Sequence, residues 1–167
     1  IMQCSAVTSV NGEETEDAAG DAWDNRYANR RLVQSVNDLL KDTADFRVFQ
    51  PRKKVNGIIP SRTVGVAKIK DTAGKEYKIE YDVDQAEKFG ITVGVYINDP
   101  AGSSEVFYKT FGENPLGYSD SPRKEEDCGT GWYCYDNMLT VNERDDNAPY
   151  QIADLVRDAY SRFQKLL

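Results

Sequence analysis

The chain contains no histidine in its 167 residues. That absence removes Ser-His-Asp and Cys-His nucleophilic catalysis, histidine-ligated zinc and the commonest general base from any chemistry it performs alone. Cysteine is scarce too, with Cys4, Cys128 and Cys134 as the whole set. Three thiols allow one disulfide and one leftover, and the leftover is expected to be Cys4. No apolar run approaches the roughly 20 residues that span a bilayer as a helix, so no transmembrane segment is expected. None of the ten asparagines begins an Asn-x-Ser/Thr sequon, which leaves N-glycosylation without support.

What is present reads as a soluble globular protein. Hydrophobic residues make up 40% and charged residues 29%, and the length suits one domain that buries a core without crosslinks. The net charge of −7 is unevenly spread: residues 1–24 carry −6, residues 25–80 carry +7 and residues 81–167 carry −8. Arg47, Arg52, Lys53, Lys54 and Arg62 crowd the basic stretch. The sequence from Phe46 to Lys54 interleaves aromatic and basic side chains, the ingredients of a single-stranded nucleic-acid groove. The acidic total and the acidic start of the chain compete with that ligand. An acidic protein partner, or the chain's own acidic tail, is the better reading, with Arg52, Lys53 and Lys54 as binding residues.

Residues 1–20 have few large apolar side chains and read as an acidic flexible tail; residues 21–167 read as a single α+β domain. The opening Ile1-Met2-Gln3-Cys4-Ser5-Ala6 lacks the apolar stretch of a signal peptide and is expected to be a processed start. It loosely resembles the cleavage region of plastid transit peptides, a likeness confined to six residues. The resemblance implies a plastid or other organelle; cysteine usage points instead to an extracytoplasmic, secreted protein.

Trp23, Tyr27, Val33, Val36 and Leu40 recur at helical spacing and predict an amphipathic helix over Asp21 to Lys41. Short runs rich in β-branched and aromatic residues predict strands at 46–49, 63–69, 76–83, 91–97 and 105–111. A single helical turn is expected over 84–89, and a long loop over 112–131 leads to a short strand. Ile152, Leu155, Val156, Ala159, Phe163, Leu166 and Leu167 form the apolar stripe of a final helix, with Asn147 and Pro149 as cap and first turn. Connections this short favour hairpins. The expected fold is an α+β antiparallel meander of about five to six strands, flanked by an N-terminal and a C-terminal amphipathic helix packed on one sheet face.

Three constellations carry possible chemistry. In the first, Cys128 and Cys134 bracket Gly129-Thr130-Gly131-Trp132-Tyr133. A disulfide would close a small ring, stabilising it by roughly 2–2.5 kcal/mol on loop-entropy grounds. Trp132, Tyr133 and Tyr135 would then be displayed as anchors for a partner, or would pack inward as a strand. A pair of reduced thiols is the alternative, and a redox-sensitive dithiol in an organellar subunit is one form of it.

In the second, Glu80, Asp82 and Asp84 alternate along one predicted strand and so share a face. They could hold a hard cation or supply an acid and base pair, or form the wet face of a sheet whose Ile79, Tyr81 and Val83 point inward. The third, Asn142 to Asn147, lacks the glycine and distal glutamate of an EF-hand loop and reads as a solvated turn.

Together these readings favour a noncatalytic macromolecule-binding domain, a secreted interaction protein or an accessory subunit of a larger assembly. It would use the aromatic Cys-x5-Cys loop and need no cofactor. The alternative is a histidine-free carboxylate hydrolase drawing a pair from Glu80, Asp82, Asp84, Glu125, Glu126 and Asp127.

Overall fold

The computed structural model describes residues 16–54, 56–57, 62–87, 90–118, 132–133, 139–142 and 145–167. Helix α1 (Glu16–Leu39) is followed by strands β1 (Arg47–Phe49), β2 (Thr63–Lys70), β3 (Glu76–Glu87) and β4 (Gly90–Asn98). Helix α2 (Ser104–Phe111), strands β5 (Trp132–Tyr133) and β6 (Leu139–Asn142), and helix α3 (Ala148–Gln164) complete the order. The strands form one antiparallel sheet, β1-β2-β3-β4-β5, in which β6 also pairs with β4. β5 takes the end of β4 at Ile97 and Asn98, and β6 takes the beginning, from Gly90 to Val93. The α+β meander with its terminal helices is thus the fold that forms.

Local chemistry explains the hairpins. Between β2 and β3 the Asp71 carboxylate accepts hydrogen bonds from the backbone N–H of Ala73 and of Lys75, at 2.9 and 2.8 Å. Gly74 supplies the positive φ of +87° that closes the turn. This tight reversal sets a register in which Gly65, Tyr81 and Val95 lie side by side, as do Val66, Glu80 and Tyr96, and Val64, Asp82 and Gly94. Over 84–87, the described part of the expected helical turn, the chain is strand instead. β3 runs on to Glu87, with a bulge between Gln85 and Glu87 that absorbs the change of direction into β4.

One sheet face packs against α1 and α3. Val33 and Val36 of the first helix, Leu40 just past its end, and Ile152, Val156 and Phe163 of the last helix join Ile79, Tyr81, Val93 and Val95 in a single core. At its centre the Tyr81 hydroxyl donates to Asn37 Oδ1 and to the Val33 carbonyl, which satisfies a polar group far from water. Burial alone pushes its ionisation well above the ordinary tyrosine range. The ring fits because its neighbour on β2 is Gly65; a Cβ there would stand inside the van der Waals surface of Tyr81. Gly65→Ala is therefore expected to destabilise the fold by about 1–3 kcal/mol, the usual penalty of overpacking. Urea denaturation of this variant beside wild type checks it, and equal midpoints would show that the sheet can shift to admit a methyl group.

Two helical stripes differ from the sequence reading. Tyr27, placed there on the apolar face of α1, is 61% exposed, while Asn29 is buried, so the inward stripe runs through Asn29, Val33, Val36 and Leu40. At the other end of the chain Leu166 lies beyond the last turn of α3 and is exposed. The Asn147 side chain makes no capping bond to α3; Asp145 instead accepts from the Asn147 N–H at 2.9 Å, and Pro149 occupies the first turn as expected.

The segment 105–111, expected as a strand, is helix α2. Ser103 caps it by accepting from the Val106 N–H, Glu105 lies in the first turn and Lys109 in the last, and Gly112 ends it at a φ of +84°. Phe107 and Phe111, one helical turn apart, both pack on Phe163. A run this rich in aromatics looks like a strand until its caps are considered.

Candidate functional site

The described residues offer two places where charge and exposure depart from an ordinary surface. The first is built by α1 and the segment after β1. The Arg26 guanidinium donates to the Pro51 carbonyl at 2.7 Å, and Gln50 Nε2 donates to the Arg26 carbonyl at 2.8 Å and to Thr63 Oγ1 at 2.6 Å. These bonds tie the chain after β1 to the helix. Arg52, Lys53 and Lys54 therefore leave the fold beside Arg26 and Arg30, and all three are exposed. Burial first, then the positive charges of Arg30 and Arg52, lower the Arg26 guanidinium from its ordinary value, a direct sign of crowded cations. No carboxylate among the described residues pairs with Arg30, Arg52, Lys53 or Lys54. Phe49 on β1 is 57% exposed, and Arg31 lies 5.8 Å above the ring of exposed Tyr27.

Two members of the predicted basic cluster have other tasks. Arg47 pairs with neighbouring Asp45 at the surface. Arg62 is drawn to the opposite side of the sheet, where it meets the carboxylate row. Phe46 belongs to the core. Sequence reasoning missed Arg26, Arg30 and Tyr27 as members of this surface; they lie more than 20 positions before Arg52 and are brought to it by the Arg26–Pro51 and Gln50–Arg26 contacts.

The second place is that carboxylate row. Glu80 and Asp82 share a face as the alternation predicts, but it is not a wet one: each residue is only 6% exposed. Arg62 Nε donates to Asp82 Oδ2 at 2.8 Å, and its Nη2 reaches Glu80 Oε1 at 2.8 Å and Asp82 Oδ2 at 2.7 Å. Burial acts to lower the Arg62 guanidinium, yet the charge and hydrogen bond of Asp82, followed by the charge of Glu80, outweigh it and raise it. Burial, then the charge of Asp82, then a hydrogen bond to Asp82 push Glu80 up to about 9 against the opposing pull of Arg62. Asp84, further along, is half-buried. Counting back from the Asp71–Gly74 turn is the sequence signal that would have found this group, since it carries Arg62 to the end of the row. Arg62 Nη2 engages one oxygen of each carboxyl group, and no group of three or more metal-ligating side chains occurs among the described residues.

β5 lies at the other end of the strand order from β1, with Tyr133 paired to Ile97 and Trp132 to Asn98. Four strand spacings separate them, roughly 19 Å. The basic segment and the aromatic dipeptide are thus not brought together. Cys128, Cys134, Tyr135, Glu125, Glu126 and Asp127, and with them the expected disulfide, lie outside the described residues. No helix among the described residues is long and apolar enough to cross a membrane. Compared with known protein families, with curated proteins and with solved structures, the chain matches none.

Proposed function

We propose that this chain is a noncatalytic binding domain, a secreted protein or an accessory subunit of a larger assembly, that docks an acidic segment of a protein partner. The observation that carries the reading is the surface where Arg26 lies among Arg30, Arg52, Lys53 and Lys54, the last four without a carboxylate partner among the described residues, and where Phe49 and Tyr27 stay exposed. Uncompensated charge speeds encounter with an acidic partner, and exposed aromatic rings give the complex its desolvated contacts. A disulfide between Cys128 and Cys134 in an oxidising or organellar compartment, with Trp132, Tyr133 and Tyr135 as a second contact, completes the proposal.

Binding of a fluorescein-labelled peptide rich in Glu and Asp, followed by anisotropy, tests it. The triple variant Arg52→Glu, Lys53→Glu, Lys54→Glu is expected to bind at least tenfold more weakly, about 1.4 kcal/mol. Raising salt from about 0.05 to 0.3 M should weaken the wild type as well, because these charges are exposed. Unchanged affinity in the triple variant would overturn the reading, and so would single-stranded DNA outcompeting the peptide.

A further inference from the structure

We infer that Glu80 and Asp82 form a proton-binding site, in which one proton is held between the two carboxyl groups beneath Arg62 on the sheet face opposite the helices. The pattern of hydrogen bonds carries it. Arg62 directs both of its contacts with Asp82 at Oδ2, and its remaining contact at Glu80 Oε1. Asp82 Oδ1 is left buried and finds no donor among the described residues. The two carboxyl groups stand on one face of β3 and converge on the same nitrogen, Arg62 Nη2, at 2.8 and 2.7 Å. A proton on Glu80 converts that carboxyl from acceptor to donor, and a donor is what the stranded oxygen lacks.

Charge balance leads to the same place. Two buried carboxylates against one guanidinium leave a net negative charge in a poorly solvated setting, and one added proton makes the trio neutral. The neighbours on β2, Val66 beside Glu80 and Val64 beside Asp82, are apolar, while Tyr96 and Gly94 of β4 flank the pair on its other side. Among the described residues, the other charged or titratable groups on this face close to the pair are Arg62 ahead of β2, Lys68 on β2, Lys78 and Asp84 on β3, and Tyr96 on β4.

In the unfolded chain both carboxyls ionise near pH 4, so at neutral pH folding takes up about one proton here. The sign follows from a folded value raised above the unfolded one. The stabilisation is complete below the unfolded value and is lost as pH rises toward the folded value. Across about pH 6 to 8 the folding equilibrium constant is expected to fall about tenfold per pH unit. The missing histidines make this interval unusually clean, since few other groups titrate in it.

The test combines urea denaturation across that range with the carboxyl carbon resonance of Glu80 in labelled wild-type protein. The wild type should show the tenfold-per-unit slope and a protonated Glu80 at neutral pH. In Glu80→Gln the amide donates where the proton did, and the slope should flatten; in Asp82→Asn, Glu80 should ionise against Arg62. A carboxylate resonance for Glu80 at about pH 6 in the wild type would overturn the proposal even if both variants fail to fold, as would equal slopes for wild type and Glu80→Gln.

Discussion

Replacing Arg62 with methionine is expected to destabilise the protein by about 3–5 kcal/mol at neutral pH, the typical consequence of removing one partner from a buried ion pair. The side chains of Glu80 and Asp82 are each 8% exposed, and that of Arg62 is 24% exposed. Methionine keeps most of the apolar stem and none of the charge, so the loss would measure an uncompensated carboxylate more than a cavity. Without Arg62 the folded state holds protons on the pair more tightly still, so the deficit should shrink as pH is lowered toward 4. Adding Asp82→Asn to Arg62→Met should recover much of the loss. Chemical denaturation of the two variants at two pH values is enough, and a deficit below about 1 kcal/mol in the single variant would mean that the carboxyls are solvated by other means.

Phe163→Ala should have an effect of similar size, about 3–5 kcal/mol, and would also unfasten a helix. Phe163 has no exposed surface. It meets Tyr77 and Phe111 at ring-centre distances of 5.4 Å each and stacks parallel to Phe107 at 6.3 Å. Tyr77 belongs to β3, Phe107 and Phe111 to α2, and Phe163 to α3, so one ring joins three elements. α2 has only two turns and depends on this cluster for tertiary support, because a helix so short is not stable by propensity alone. Hydrogen exchange should therefore show α2 amides losing protection well before those of β3 and β4. Wild-type exchange at α2 in a destabilised Phe163→Ala protein would refute the anchoring role. Nearby, Arg162 stacks on Tyr118 at 4.3 Å and donates to the Leu116 carbonyl, so the segment after α2 is held by the same turn of α3.

Most of the fold was legible because its signals are local. Period-two alternation at 63–70 and 76–83 and the stripe through Ile152, Val156 and Phe163 depend on each residue and its near neighbours. So does the Asp71–Gly74 turn. The segment 105–111 was misread because Phe107, Tyr108 and Phe111 suit a strand as well as a helix, and the deciding residue, Ser103, lies just outside the run. Tyr27 was misassigned for another reason: spacing permits two adjacent stripes on α1, and only the docked partner selects the one through Asn29 and Val33.

The candidate sites were legible in part. Arg52, Lys53 and Lys54 stand next to one another in the chain and remain at the surface, so composition was enough to mark them. Their enlargement by Arg26 and Arg30 needed the hydrogen bonds that bring α1 to Pro51. Arg62 reads as one more member of that basic cluster, yet its partners lie 18 and 20 positions ahead.

The sequence by itself determined the excluded chemistries, the placing of Glu80 and Asp82 on one side of their strand, and the α+β class with a helix at each end of an antiparallel sheet, because each follows from residue identity or from spacing of a few positions. Only the tertiary structure decided that this side is buried, that Arg62 serves it in place of the basic surface, and that the basic segment and the aromatic strand sit at opposite ends of the sheet order. Those outcomes depend on hairpin register and on what covers each face, and both are properties of the assembled sheet.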